Sequence, residues 1–489
     1  MSHRQNTGAL NRTVIFNIAL TMIALVSSGL VPFGFNLIVG RIDGAAALGE
    51  VSVALGLALF LGQIPGTVGS AATKFMAESL GRDDVDRSRD VFQLLLVLTV
   101  AASVLLAVGM LALAPVLTSA LRISFADVAL SAALVPTYTL YLYFKSVYYG
   151  VQKVRAYLVN EVVSDVAFFG VVAGVFLAGA SPWLLLPFVL NNAIFAVIAV
   201  RAVKDYFSPF HWRPAGGSWE VLKYCLINGS GTIASLGRWS LGITISGLFL
   251  THSAVGIFAA ALAVTAPLPL LPRAISLVTF AAMARLHGAG EAHSVRLLLQ
   301  QSTEWLVFLL GIPFGVAIIN AGAILSVLFR PEFARGALAA QMIMLGQYVT
   351  DISRPSIDSL SSTDHVRIPT IASFLGLAVS LVIWLVLLPG HGVAIAGIGF
   401  AAGAVVTAVI PAYYAYRLIG TRPSVFIRPA VMLAGLGALI AVSSQAPILA
   451  TILFLAGIFA LYAHILGDLA SYLLDIYRRR KAGVLQRSV

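Results

Sequence analysis

Arg238 stands at the middle of an apolar run from Val221 to Leu250, and Arg273 stands in the next apolar run, beside Pro267, Pro269 and Pro272. Each run is longer than the ~20 residues that cross a hydrocarbon core of ~30 Å. A charge held at mid-bilayer costs roughly 2.5–3.5 kcal/mol on insertion scales, so neither guanidinium is expected to face lipid. An arginine carries five donors in a rigid fork that fits carboxylate or phosphate oxygens. Two readings stay open: pairing with a carboxylate or with carbonyls of a neighbouring helix, or contact with an anionic substrate. Proline-interrupted spans are where transporters place their sites.

The acids fall elsewhere. Glu161 and Asp165 are spaced i, i+4, so both carboxylates share one face of a helix, near Lys145 at the end of the preceding span. A structural ion pair with Lys145, Lys153 or Arg155 is one reading; a proton or cation relay is the other, with Asp351 as a further candidate for ion coupling. Asn191, Asn192, Asn228 and Gln63 are polar side chains inside spans, suited to helix–helix hydrogen bonds or to sugar hydroxyls. The aromatic run Tyr138 to Phe144, with Tyr148 and Tyr149, fits an interfacial belt or sugar stacking. Lys74 and Glu78 are expected to pair at a helix end. A cation exporter would want a carboxylate deep in its first spans, yet there is none between Val14 and Val39 or between Val51 and Thr73.

These side chains need a membrane to hold them. The mean hydropathy is +0.95, and 10% of residues are charged against 59% hydrophobic; soluble domains carry about 25% charged residues. The net charge of +11 comes from basic residues scattered over short loops, which excludes a nucleic-acid patch. All but six of the 31 Lys and Arg fall on one side once the spans are placed. Arg41, Arg122, Arg330 and Arg335 fall on the other side, and Arg238 and Arg273 lie within spans. That bias puts both termini in the cytoplasm, with the run Arg478–Lys481 as an anchor near anionic lipid. One cysteine, Cys225, excludes an internal disulfide and has a packing role. No phosphate-binding loop, HExxH or His/Cys cluster is present, so neither cofactor nor metal is expected.

The expected fold is an all-α polytopic membrane protein of about fourteen spans, at 14–39, 46–71, 91–118, 127–150, 157–180, 182–203, 221–250, 254–280, 300–326, 336–357, 367–388, 392–416, 427–445 and 447–474. The first is read as an uncleaved helix. A shift of 207 residues lays Gly49 on Gly256, Pro65 on Pro272 and Gly81 on Gly288. The repeat predicts two parallel six-helix lobes around a central cavity, 1–203 and 221–420, joined by a cytoplasmic linker at 204–220. Two further helices and a basic tail fill 421–489.

The segments GRIDGAAALGEVSVALGL and KFMAESLGR, then THSAVGIFAAA with MARLHGAGE, and FRPEFARGALAAQMIMLGQYV resemble in order and spacing the polysaccharide-biosynthesis flippases of the multidrug/oligosaccharidyl-lipid/polysaccharide exporter superfamily. The resemblance covers most of residues 10–420. It implies a non-enzymatic transporter of the bacterial inner membrane that moves a polyprenyl-diphosphate-linked oligosaccharide by alternating access, for exopolysaccharide or O-antigen synthesis. It also implies that Arg238 and Arg273 engage the diphosphate, and that membrane lipids, a polysaccharide polymerase and chain-length machinery are partners. Many members carry an acid where this chain has Gly237-Arg238-Trp239-Ser240. An ion-coupled multidrug exporter on the same fold is the alternative. A periplasmic ligase or polymerase is disfavoured, because the outward connections are short.

Overall fold

The computed structural model describes residues 2–179, 181–208, 218–363, 365–443 and 445–463. The side chains of residues 2–19 and of several others within helices, Asn228 among them, lie outside that description, as do most of the 204–220 linker and the Arg478–Lys481 run. Among the described residues the chain is helical, without strands, and nine helices are long and apolar enough to cross a membrane. The chain is a polytopic all-α membrane protein.

The first half of the chain comprises α1 (Ser2–Ile42), α2 (Gly44–Gly66), α3 (Gly69–Gly81), α4 (Val85–Ala112), α5 (Ala114–Leu121), α6 (Phe125–Gly150), α7 (Val154–Leu177), α8 (Leu186–Ala202) and α9 (Ser218–Phe249). Then follow α10 (His252–Thr265), α11 (Leu270–Gly288), α12 (Ala292–Ile319), α13 (Ala321–Leu328), α14 (Ala337–Ile352), α15 (Arg354–Ser361), α16 (Arg367–Leu387), α17 (Val393–Ile419), α18 (Ser424–Ser443) and α19 (Pro447–Leu461). Each expected span holds one helix or two consecutive ones. The broken spans are α2/α3, α4/α5, α10/α11, α12/α13 and α14/α15. Proline accounts for most of the breaks, since it removes an N–H and crowds the preceding turn. Pro65 closes α2, Pro115 and Pro355 open α5 and α15, and Pro267 and Pro269 separate α10 from α11.

The 207-residue offset reappears in the helix ends. The helices α4 and α12, and likewise α5 and α13, begin and end 207 residues apart; α8 and α17 begin so, and α1 and α9 end so. Two copies of one helical order therefore follow each other along the chain.

The helices pack into two compact units. The first comprises Met1–Leu270, Gly322–Gly346 and Pro369–Thr407. At its centre α2 and α10 cross at Gly49 and Gly256. A methyl group on Gly49 would overlap the carbonyl oxygen of His252, and one on Gly256 the carbonyl oxygen of Ala45. His252 is itself 207 residues beyond Ala45, so the crossing is nearly symmetric between the two copies. Farther along α2, Gly62, Gly66 and Gly69 bring that span against α6. An apolar core around Phe75, Phe92, Tyr143, Tyr157 and Phe195 fills one end, and Cys225 packs on its margin.

The second unit comprises Leu271–Ala321, Gln347–Ile368 and Ala408–Val489. Gly311 and Gly315 let α12 meet Ile458 and Phe454 of α19 closely, and Met432 of α18 also touches Gly311. The Tyr348 hydroxyl donates to the Val307 carbonyl at 2.9 Å, and Arg428 pairs with Glu304 at 3.2 Å.

Candidate functional site

In the first unit, four helices bring polar groups to one place. Glu161 and Asp165, one turn apart on α7, are 1% and 8% exposed, so both carboxylates sit on the inward face that the i, i+4 spacing predicts. Asp165 accepts from Ser27 of α1 at 2.6 Å and from Asn191 of α8 at 3.4 Å. Glu161 Oε1 accepts from the Tyr141 hydroxyl of α6 at 2.7 Å, and Tyr141 in turn accepts from Lys145 at 3.2 Å. The Lys145 ammonium lies over the rings of Tyr141 and Tyr157 and within electrostatic reach of both acids. Glu161 Oε2 is buried without a hydrogen-bond partner. The helix packing thus holds two buried acids beside one lysine, and one acid oxygen is unclaimed. Such a set can exchange a proton or hold a small cation.

The other polar residues expected here divide. The Asn191 amide is engaged by Asp165, while Asn192 is buried without a hydrogen bond among the described residues. Gln63 accepts from the Tyr138 hydroxyl at 3.4 Å. Tyr143 and Tyr148 belong to the core and not to an interfacial belt, and the Tyr143 hydroxyl donates to the Phe92 carbonyl at 2.6 Å. Glu78 does not pair with Lys74. Its partner is Arg82, one turn onward, at 2.6 Å, while the Lys74 ammonium sits 4.4 Å above the Tyr224 ring, which gives it a partner on another helix.

Arg238 is 5% exposed in α9. It donates to the Thr407 hydroxyl of α17 at 3.1 Å and stacks 5.4 Å from the Phe400 ring. Its Nε has no partner, and among the described residues no carboxylate pairs with it. A head group reaches it only if α9 and α17 part. Asn228 lies two to three turns earlier in the same helix, its side chain outside those described.

Three of the four arginines counted on the outer side act together at one end of the first unit. Arg122 follows α5 and donates to the carbonyls of Gly247 and Leu250, at the end of α9, at 3.0 and 2.6 Å. Arg330 follows α13 and donates to the carbonyls of Arg41 and Ile42, at the end of α1, at 2.9 and 2.6 Å. Arg41 donates to the Val327 carbonyl at 2.5 Å. A helix end leaves such carbonyls without partners, and its negative pole favours a cation. Each copy of the repeat thus caps the first helix of the other. The sequence signal was available: these are nearly all the arginines the outer face has.

In the second unit, Arg273 of α11 is exposed, and its guanidinium makes no hydrogen bond among the described residues. Asp351, at the end of α14, is fully buried; its Oδ1 accepts from Gln347 at 3.0 Å and its Oδ2 has no partner. Arg273 and Asp351 lie within electrostatic range of each other. An apolar cavity of about 410 Å³ opens in the same unit between α12, α17 and α18, with Tyr413, Tyr416, Phe426 and Leu433 among its walls. Among the described residues no group of three or more His, Cys, Asp or Glu is placed to hold a metal ion.

Repeated six-helix order, glycine-lined crossings and two trailing helices define a membrane bundle of a recognisable class. Residues 18–177, spanning most of α1 to α7, match the MatE family. The lipid II flippase MurJ, in an inward closed conformation, has this fold with a TM-score of 0.69 at 12% identity, over 93% of this chain and 100% of that one. An inward-facing multidrug resistance MATE family transporter of the MOP superfamily gives 0.64 at 13%, over 83% and 94%. A MOP superfamily transporter from Pyrococcus furiosus, described as having a binding pocket of reverse polarity, gives 0.60 at 14%, over 83% and 95%. No curated protein sequence matches significantly. At such identities the likeness is one of fold.

Proposed function

We propose that this chain is a transporter that moves a polyprenyl-diphosphate-linked oligosaccharide repeat unit across the bacterial inner membrane by alternating access, with both termini cytoplasmic. The observation that carries this reading is Arg273, a guanidinium within the spans that is exposed and unclaimed by any hydrogen bond. A positive charge in that setting is poised for an anion. The apolar cavity of about 410 Å³ in the same unit suits part of the isoprenoid tail, so that only the head group needs a wet path. Arg238 joins Arg273 once α9 and α17 separate, and Asn191, Asn192, Asn228 and Gln63 meet the sugars. Glycan polymerase and chain-length proteins are the expected partners downstream.

The buried acids Glu161 and Asp165 favour a second reading, an ion-coupled multidrug exporter on the same fold. They also suit a flippase driven by an ion gradient, so they do not by themselves separate the two. Extraction of lipid-linked glycans from a strain lacking the protein does. Diphosphate-linked repeat units accumulating on the cytoplasmic leaflet, with surface polymer lost, support the flippase. Normal polymer with altered drug susceptibility supports the exporter.

A further inference from the structure

The tenth span is discontinuous, and the break presents a second arginine. Helix α14 ends at Ile352, Ser353 turns the chain with its hydroxyl on the Val349 carbonyl at 2.8 Å, and α15 opens with Arg354-Pro355. Pro355 cannot continue the ladder of α14, because it has no N–H to give. One turn into α15, Asp358 accepts from Ser276 of α11 at 2.6 Å and from Thr279 at 3.5 Å, which pins α15 to α11. Arg354 stands one turn before Asp358, and Arg273 stands one turn before Ser276. The two arginines are therefore on the facing sides of two joined helices, within electrostatic range of each other and of Asp351.

Neither guanidinium makes a hydrogen bond among the described residues, although each carries five N–H donors. Arg354 Nε is closed off from solvent without a partner. Asp351 does not satisfy them: its Oδ1 is taken by Gln347 and its Oδ2 bonds nothing. Asp358 is occupied by the two hydroxyls of α11. Two like charges side by side repel, and ten unclaimed donors leave a deficit of acceptors. An anion with several oxygens and more than one negative charge answers both.

We propose that Arg273 and Arg354 form one two-guanidinium clamp for a diphosphate group, with Asp351 as the counter-charge that keeps the site neutral when empty. The clamp rests on the flippase reading for its ligand, the diphosphate of a lipid carrier. It adds Arg354, which the basic-residue count assigns to a loop, as a specificity-determining contact. A diphosphate bridges two forks where a monophosphate fills one, so the pair discriminates by the length of the anion.

The test uses the full-length protein in nanodiscs, with farnesyl diphosphate, farnesyl monophosphate and inorganic pyrophosphate as probes in titration calorimetry. Farnesyl diphosphate is expected to bind wild type at least about tenfold more tightly than the monophosphate. Arg273→Gln and Arg354→Gln should each weaken it about 10- to 100-fold and erase that preference, whereas Arg285→Gln, on the exposed end of α11, should not. Arg354→Lys keeps the charge without the fork and should fall between, which separates lost recognition from lost folding. Pyrophosphate binding as tightly as farnesyl diphosphate would assign the clamp to the free anion; weaker binding assigns it to the lipid. Arg354→Gln with wild-type affinity, or wild type binding no probe, overturns the clamp. If glycan export proves independent of this protein while arginine-dependent diphosphate binding persists, the flippase reading fails and the clamp stands.

Discussion

Gly49 and Gly256 lie against each other where α2 crosses α10, so close that a methyl group on either would come within 2.8–2.9 Å of the backbone nitrogen of the other. They are the same position of the repeat, 207 residues apart. Contact of a position with its own counterpart is the mark of a twofold relation between copies, as in an isologous interface.

Alanine at either glycine follows from that contact. In a helix interior alanine gains about 0.5–1 kcal/mol over glycine. Overlap with a backbone carbonyl, which cannot rotate away, costs about 1–3 kcal/mol and outweighs it. Gly256→Ala should lower the melting temperature in detergent and reduce transport, while Gly435→Ala, with open space around it, should not. A Gly256→Ala protein that melts and transports like wild type would show that the crossing tolerates separation.

The paired caps of Arg122 and Arg330 hold the same end together. Each contributes a charge-assisted bond to a helix C-terminus, worth roughly 1 kcal/mol. In the proposed orientation this end faces the periplasm and must open during transport. In a Cys225→Ser background, Ala45→Cys is buried and should react slowly with a membrane-impermeant thiol reagent. Arg122→Gln and Arg330→Gln should each raise that rate about fivefold, and both together more. Unchanged labelling in the double variant would mean that the glycine crossing alone holds the end shut.

Glu161 and Tyr141 are coupled through a 2.7 Å bond with Lys145 behind. Glu161→Ala leaves the Tyr141 hydroxyl and a lysine charge without the acid and should cost about 1–3 kcal/mol in thermal unfolding. Glu161→Gln keeps an acceptor for Tyr141 and should fold normally. If the acid couples transport to an ion gradient, this variant should lose the response to the gradient while still binding substrate. A gradient response equal to wild type would make the acid structural.

The sequence made much of this legible, for physical reasons. Long apolar runs have one stable solution in lipid, so each expected span holds a helix. Glycines and prolines carry the repeat because close crossings and breaks tolerate few substitutes, which is why Gly49 and Gly256 stood out before any contact was known. The breaks themselves were less visible. Hydropathy runs smoothly across Ser353, so Arg354 reads as a loop residue when it in fact opens α15 inside the span. Partners across helices were not visible at all. Lys74 and Glu78 have the spacing of an ion pair, but Arg82 and the Tyr224 ring compete for them, and spacing on one helix says nothing of what a second helix offers.

Arg238 poses the question of role most sharply. It is buried with a hydroxyl, a ring and no carboxylate. An unpaired buried charge is a liability for folding, and replacing buried ionic groups with apolar ones of similar volume is often neutral or stabilising. Arg238→Met should therefore keep or raise the melting temperature. If the guanidinium meets the head group once α9 and α17 part, the same variant should lose export of lipid-linked glycan by about tenfold or more, since one charge-assisted contact to an anion is worth at least about 1.5 kcal/mol. Stability held with transport lost would place Arg238 on the substrate path. A lower melting temperature with transport falling only in proportion to folded protein would assign it to packing against Thr407 and Phe400, and would leave head-group recognition to the second unit.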